Sequence, residues 1–192
     1  MNPPLTAQLT YTQLIANLGI SNWEHLLSYV AAIPYGRTSN RQDLSLVISE
    51  GKGSCSSKHA FLKCIAMENK IPNVQLILGL YKMNAINTPG IGTVIDDHGL
   101  DYIPEAHCYL KIGENRRDLT HPNASFNRIA KDLIEEIEIQ PEQITSFKVS
   151  FHQEFLKSWV IDNSIPLSFE QIWEIREQCI QNLSTSKTHL QP

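Results

Sequence analysis

The sequence lacks the features of a membrane protein or a nucleic-acid-binding protein. No apolar run approaches the ~20 residues that a membrane-spanning helix needs, and the first residues show no charged-then-apolar leader pattern. Basic residues are scattered, with only Arg116 and Arg117 adjacent, and the net charge is -4. These absences predict that neither a membrane nor a nucleic acid is a partner, and we expect a soluble, cytoplasmic protein.

Cysteine is also scarce, and its spacing forms no CxxC pair. Four cysteines occur, at positions 55, 64, 108 and 179. This spacing predicts free thiols in a reducing compartment and not a disulfide framework. Internal repeats and low-complexity segments are missing too, so the length predicts a single domain over residues 1–183 with a sizeable core. Residues 184–192 are predicted to form a polar tail.

The spacing of apolar residues predicts helices at both ends of the chain and strands in the middle. Helical spacing dominates residues 5–33 and 127–183, where we interpret the acidic run 132–138 as a solvated helix face. Short runs of strand character occupy 74–81 and 104–112, and a return strand is predicted to begin at Arg117. This order is typical of an α+β domain with a small antiparallel sheet.

The stretch from Gly51 to Cys64 places a cysteine at the start of a predicted helix. Gly51 and Gly53 allow a tight turn, and Ser54 is suited to cap the helix that follows. Cys55 then lies in the first turn, where unpaired N–H groups and the helix dipole stabilise a thiolate. We predict a reactive thiol, and the alternative is a buried cysteine in a capped helix.

A base and a carboxylate follow the cysteine in the sequence. His107 is expected on the polar face of its strand, and Asp118 follows on the return strand. A two-residue turn at Gly113–Glu114 would place Asp118 opposite Tyr109 and diagonal to His107, within side-chain reach. A three-residue loop would place the two side chains on opposite faces of the sheet.

Thiol, imidazole and carboxylate together predict nucleophilic chemistry at a carbonyl. Cys55 would attack the carbonyl carbon, His107 would take and return a proton, and Asp118 would orient the imidazole. The backbone N–H of Cys55 would hold the oxyanion. A second donor is expected from the preceding loop, where Asn40 and Gln42 carry suitable amides and the sequence does not choose between them.

These stretches are similar to a known family. Residues 53–60 (GSCSSKHA) resemble the nucleophile motif of the transglutaminase-like superfamily of cysteine enzymes. Residues 105–110 and 117–120 resemble its strands that carry the histidine and the aspartate, within a motif core of about 51–120. The resemblance implies a papain-like α+β fold, with the nucleophile helix on an antiparallel sheet. It also implies cofactor-free acyl chemistry on a peptide, protein or small amide substrate.

Three alternatives remain open beside a hydrolase. One is an inactive relative that binds a peptide or protein in the same cleft, and another is an acyltransferase with a small amine acceptor. The third is a zinc-binding module built on Cys55, His59, His107 and Cys108. Because adjacent residues of a strand point to opposite faces, we predict no metal and a core-facing His59 that hydrogen-bonds the backbone. The alternative for Asp118 is a surface carboxylate paired with an adjacent arginine.

Overall fold

A computed structural model describes residues 2–185 and has the predicted α+β class. The helices are α1 Thr10–Ala16, α2 Trp23–Ala32, α3 Leu46–Ser49, α4 Cys55–Glu68, α5 Val94–Asp97, α6 Ser146–Asp162 and α7 Phe169–Thr185. The strands are β1 Val74–Met83, β2 Ile103–Ile112, β3 Asn115–Arg117 and β4 Leu133–Ile139. The predicted polar tail overlaps the end of α7 at positions 184–185, and its remainder lies outside the described residues.

The four strands form one antiparallel sheet in the order β3-β2-β1-β4. The two central strands pair along their full length, from Val74 opposite Ile112 to Met83 opposite Ile103. The edge strand β3 pairs with only the last three residues of β2. The first part of β2 therefore has no strand on that side within residues 2–185, and this open edge positions the site described below.

Each face of the sheet carries its own hydrophobic core. Helices α1, α2 and α4 pack on one face, against side chains of β1 and β2 that include Leu78 and Cys108. Helices α5 and α7 and the buried side of α6 pack on the other, against Ile77, Tyr81 and Tyr109. The alternation predicted for β2 is thus confirmed. No helix within the described part of the chain is long and apolar enough to span a membrane.

The acidic run near residue 135 is a strand, and the prediction of a solvated helix there is wrong. In β4, isoleucines at 137 and 139 pack toward α4, while Glu136 and Glu138 face the other side of the sheet. Antiparallel pairing with β1 supplies the backbone hydrogen bonds, so tertiary contacts override local helical spacing. The predicted helical flank 127–183 therefore holds for α6 and α7 but not for β4.

Candidate active site

The N-terminus of α4 places the cysteine nucleophile candidate. The Ser54 hydroxyl accepts a hydrogen bond from the N–H of Ser57, and the Ser57 hydroxyl accepts one from the N–H of Ser54. Cys55 is the first residue of the helix, as predicted. Gly51 has a φ of +61°, and a Cβ on Gly53 would lie 2.8 Å from a side-chain carbon of α4. Both glycines are thus needed where the loop meets the helix.

The β2–β3 hairpin brings the carboxylate to the histidine. Its turn has two residues, Gly113–Glu114, and β3 ends at Arg117. Asp118 follows directly, on the side of the sheet that carries His107, and its Oδ2 lies 2.9 Å from Nε2 of His107. The predicted two-residue turn and the predicted contact are confirmed. The return strand, however, runs from Asn115 to Arg117 and stops before the aspartate.

The two arginines beside Asp118 have other partners. Arg116 forms a two-pronged ion pair with Glu136 on β4, and Arg117 pairs with Glu24 on α2. The Asp118 carboxylate instead accepts from the N–H and the hydroxyl of Thr120, at 2.9 and 2.6 Å. The alternative interpretation of Asp118, as a surface partner of an adjacent arginine, is therefore wrong.

The His107 ring is also an electrostatic neighbour of the Cys55 sulfur, and each group shifts the pKa of the other. Because Nε2 faces Asp118, Nδ1 is the nitrogen left for the sulfur. The ring is flanked by Tyr81, Tyr109 and His59, with centroids 6.1–6.5 Å away. Tyr109 in turn lies across Gly79, where a Cβ would come within 2.8 Å of the phenol oxygen. An aromatic wall therefore fixes the imidazole between sulfur and carboxylate.

The electrostatics favour a thiolate–imidazolium pair. Burial by itself raises the pKa of Cys55, but the positive charges of Lys148 and His107 outweigh it. Hydrogen bonds from His107 and from the backbone N–H of Cys108 act in the same direction, and together they lower the pKa of Cys55 to about 5. Burial opposes the charge on His107, yet Asp118 and Cys55 hold its pKa well above the usual range.

The pKa values of the other three cysteines are shifted in the opposite direction. Burial raises the pKa of Cys64 to about 12 and that of Cys179 to about 11, and it also raises the pKa of Cys108. The four thiols are all free. Because the thiolate is the reactive form, Cys55 is expected to react with electrophiles first, and the cause lies in its charged neighbours.

His59 fixes the nucleophile helix to the aspartate segment. Its Nδ1 lies 2.7 Å from the carbonyl oxygen of Cys55, and its Nε2 accepts from the N–H of Leu119 at 2.8 Å. Burial lowers the pKa of His59 to about 4, so the ring is neutral and Nδ1 donates. The predicted backbone hydrogen bond is confirmed. With Nε2 occupied, the ring has no lone pair free for the zinc site considered above.

Lys58 performs a similar structural task one residue earlier. Its ammonium group is fully buried and donates to the carbonyl oxygens of Ala31, Ile33 and Thr120. It therefore joins the end of α2, the first turn of the nucleophile helix and the residue two positions after Asp118. Burial lowers the pKa of Lys58 to about 8.

Lys148 was missed by sequence reasoning. It lies on α6, with Nζ 2.7 Å from the hydroxyl of Ser56 and 3.8 Å from the sulfur of Cys55. A signal exists in the sequence, because Lys148 shares a helix face at spacings of four and four with His152 and Leu156, which are buried. A lysine on the buried face of an amphipathic helix needs a polar or charged partner there.

Glu105 and Arg176 form a second unforeseen pair beside the cysteine. The arginine makes two hydrogen bonds to the carboxylate, at 2.7 and 2.6 Å, and both side chains are buried. Burial raises the pKa of Glu105, but the charge of Arg176 outweighs it and lowers the pKa to about 2. The carboxylate is therefore ionised and already compensated.

The structure does not bring Asn40 and Gln42 to the sulfur. Both side chains are exposed, and the Asn40 side-chain oxygen accepts from the N–H of Gln42 within its own loop. Neither residue lines a cavity at Cys55. Tyr35, whose backbone bridges to Gly53 just before the nucleophile, does border both cavities. Burial and the charge of Cys55 raise the pKa of Tyr35, so its hydroxyl keeps its proton.

Two cavities meet at Cys55. The larger, of about 300 Å³, is lined by His107, Asp118, Tyr81, Asn87, Arg128 and Leu183, among others. The smaller, of about 70 Å³, is lined by Lys148, Arg41, His152 and Arg176. Cys55, Tyr35 and Glu105 border both. A carbonyl at the sulfur would therefore have imidazole on one side and ammonium on the other.

Neither metal ligation nor similarity to known proteins adds to this description. No group of three or more His, Cys, Asp or Glu side chains within residues 2–185 is arranged to hold a metal ion. Comparison of the chain with protein-family models, with curated proteins and with solved structures finds no match. What this site can do must therefore be argued from its own geometry.

Proposed function

We propose that the protein is a cysteine-dependent acyl-transfer enzyme of the transglutaminase-like type. The observation that carries the proposal is the grouping of three side chains at the wall of a cavity of about 300 Å³. The Cys55 sulfur and the His107 ring shift each other's pKa, and the ring lies 2.9 Å from the Asp118 carboxylate. A buried structural cysteine does not need an ionised imidazole and a carboxylate in line with it. Nucleophilic catalysis does.

The first half of the reaction forms a thioester. The Cys55 thiolate attacks the carbonyl carbon of an amide, and the carbonyl electron pair moves onto oxygen. The imidazolium of His107 then gives its proton to the departing amine as the carbon–nitrogen bond breaks. Asp118 keeps the ring aligned and stabilises its charged form, which agrees with the raised pKa of His107.

The second half releases the acyl group. Neutral His107 takes a proton from water, or from an amine acceptor, and the resulting nucleophile attacks the thioester carbon. Collapse of the second tetrahedral intermediate restores the thiolate and releases an acid or a new amide. Because the imidazole borders the larger cavity, we assign the leaving amine and the incoming nucleophile to that cavity.

Stabilisation of the oxyanion is assigned to the N-terminus of α4 and to Tyr35. The N–H of Cys55 lies in the first turn of a 14-residue helix, where the dipole favours negative charge. The Tyr35 hydroxyl supplies the second donor in place of the amides predicted from the sequence. Tyr35→Phe keeps the ring and is expected to lower kcat by roughly 10²-fold, the usual cost of one oxyanion donor.

The papain-like fold and the cytoplasmic location belong to the same proposal. The nucleophile helix packs on a four-stranded antiparallel sheet, and cysteine, histidine and aspartate follow in the chain order of the transglutaminase-like superfamily. Both observations support this fold type. A reducing compartment suits the chemistry because Cys55 must remain a free thiol.

The proposal is tested by labelling with a panel of carbonyl electrophiles, followed by mass mapping and by turnover assays on an amide library. We expect the label on Cys55 first, and turnover that disappears in Cys55→Ala and in His107→Ala. Cys64→Ala is the matched control, because Cys64 lies on the same helix with a raised pKa. A folded Cys55→Ala protein with full turnover would refute the enzyme. Labelling without turnover would favour the inactive, peptide-binding relative.

A further inference from the structure

The ammonium group of Lys148 is buried next to the nucleophile and has an incomplete set of partners. The residue is 9 % exposed, and its two polar contacts are the Ser56 hydroxyl and the Cys55 sulfur. No carboxylate lies within ion-pair distance of it in the part of the chain that the structure describes. Glu105, the carboxylate whose charge acts on Lys148, is already held by two hydrogen bonds from Arg176.

We propose that Lys148 is a second catalytic cation that holds Cys55 as a thiolate independently of the protonation of His107. The proposal rests on the proposed function, in which this sulfur is the nucleophile. Lys148 borders the smaller cavity and His107 the larger, so the two cations contact the sulfur from different sides. The Nζ–sulfur distance of 3.8 Å makes the ammonium group a direct neighbour of the reacting atom.

The charges around the sulfur are consistent with this assignment. Burial disfavours the charged form of Lys148, but the charges that Cys108 and Cys55 carry as thiolates, and that of Glu105, raise its pKa. Because the pKa of Cys108 is itself raised, that thiol is protonated at neutral pH, and the thiolate that Lys148 meets there is Cys55. The titratable and charged groups around the pair are His107 and Glu105 from β2, Cys108 from β2, His152 from α6, Arg176 from α7, Asp118 and Tyr35.

A second cation changes how the nucleophile depends on its base. When imidazolium is the only partner, the thiolate and the protonated ring are lost together as the ring titrates. A lysine whose pKa is raised from 10.5 keeps its charge at neutral pH whether or not His107 is protonated. The sulfur then stays ionised while His107 is free to give its proton to the leaving amine.

The same cation is placed to follow the charge during attack. As the sulfur–carbon bond forms, the negative charge leaves the sulfur for the carbonyl oxygen, and the departing nitrogen later takes its proton from His107. An ammonium group beside the sulfur neutralises the charge in both positions without moving. Lys148 therefore differs from a structural lysine, whose removal would change stability but not the ionisation of the thiol.

The test is the pH dependence of iodoacetamide alkylation at Cys55 in the full-length protein, followed by mass mapping. In wild type we expect a midpoint well below the ~8.5 of a free cysteine. In Lys148→Met we expect the midpoint to rise by about two pH units or more, from about 5, so that alkylation at pH 6 slows about ten-fold or more. Lys148→Arg should restore most of the difference. Superimposable profiles for wild type and Lys148→Met would overturn the proposal.

Lys63→Met is the matched control, because Lys63 lies on the nucleophile helix but donates to the carbonyl of Val74. It should leave the Cys55 profile unchanged. A second variant, His107→Gln, keeps the proposal testable if Lys148→Met does not fold. With Lys148 in place, the midpoint of His107→Gln should stay below that of a free thiol. A return to ~8.5 in this variant would overturn the role of Lys148.

The titration needs no substrate, so it separates this proposal from the proposed function. A low midpoint that depends on Lys148, together with no turnover on any amide, would refute the enzyme and support the thiolate–ammonium pair. Turnover that depends on Cys55, with a profile insensitive to Lys148→Met, would support the enzyme and refute the pair.

Discussion

The chain buries two lysines within reach of its candidate nucleophile, and they are held in different ways. Lys58 donates to three backbone carbonyls, and burial lowers its pKa to about 8. Lys148 faces a hydroxyl and a sulfur, and its pKa is raised. Carbonyl dipoles satisfy an ammonium group without neutralising it, whereas a thiolate neutralises it. The first lysine therefore joins segments, and the second alters the chemistry of its neighbour.

The two histidines of the site repeat this contrast. His59 lies between two backbone groups and is neutral, with a pKa lowered to about 4 by burial. His107 lies between a sulfur and a carboxylate, and its pKa is raised. Lys58 and His59, the two residues with a structural role, are consecutive in α4 and lie one turn after Cys55. A single helical turn thus anchors the aspartate segment, while strand β2 and helix α6 supply the two cations of the sulfur.

The largest expected effect is a difference in stability between the variants Lys58→Met and Lys148→Met. Lys58→Met leaves three buried carbonyls without a donor and should lower the free energy of unfolding by about 3–9 kcal/mol, at about 1–3 kcal/mol for each unsatisfied acceptor. Lys148→Met should lower it less, by about 1–3 kcal/mol, because the Cys55 sulfur can take up a proton when its ammonium partner is removed. Urea denaturation at pH 7 measures both. Equal losses in the two variants would contradict the comparison.

The second prediction concerns pH. Lys58 keeps its proton to about 8 in the folded protein and to 10.5 in the unfolded chain, so the unfolded chain binds more protons between these values. The stability of wild type relative to Lys58→Met should therefore rise by about 3 kcal/mol from pH 8 to 10.5.

The contribution of Lys148 to stability should change with pH in the opposite direction. Its raised pKa stabilises the fold below 10.5, and this contribution is lost as the pH rises through the folded value. Urea titrations of wild type and both methionine variants at several pH values measure the difference. A wild-type advantage over Lys58→Met that falls between pH 8 and 10.5 would contradict the lowered pKa.

A smaller effect is expected from Asp118→Asn. The amide keeps the shape but removes the charge that holds His107 protonated, so the pKa of His107 should fall by about 1–3 units. An NMR titration of the ring measures this shift. Alkylation of Cys55 at pH 6 should change less than in Lys148→Met, because the ammonium group remains. A thiol profile that shifts more in Asp118→Asn would assign the thiolate to the imidazole alone.

The smallest effect is expected at the loop amides. Asn40→Ala and Gln42→Ala alter exposed side chains that line neither cavity at Cys55. The free energy of unfolding should therefore change by less than ~0.5 kcal/mol. Cys55 alkylation should keep its rate and midpoint. Loss of turnover in either variant would show that a loop amide reaches the oxyanion after all, and would displace Tyr35.

Local sequence signals were sufficient wherever neighbours in the chain decide the structure. The cap at Ser54, the start of α4 at Cys55 and the two-residue hairpin turn depend on residues a few positions apart. They were predicted, and the His107–Asp118 contact followed from the register of that turn. The strand length of β2 was also recognised, to within one residue.

Features that depend on distant partners could not be derived in this way. Strand β4 has charge and apolar spacing that suit a helix, and only pairing with β1 makes it a strand. Lys148 and Arg176 come from helices about 90 and 70 residues away from their partners, Cys55 and Glu105. The amides at 40 and 42 are close to the nucleophile in sequence, but their side chains are exposed. Tyr35, whose backbone bridges to Gly53, borders the cavities at Cys55 instead.

The exposed edge of β4 has a consequence for how copies of this protein behave together. An unpaired edge strand offers its free N–H and C=O groups to any other extended chain, and edge-to-edge pairing of this kind leads to aggregation. Here Glu135 and Glu138 lie exposed along that edge, and the strand has a register shift opposite Leu80 and Tyr81. Two such edges would meet with like charges and mismatched spacing. The acidic run, whose spacing in the sequence resembles that of a helix, thus disfavours edge-to-edge pairing between copies of the protein.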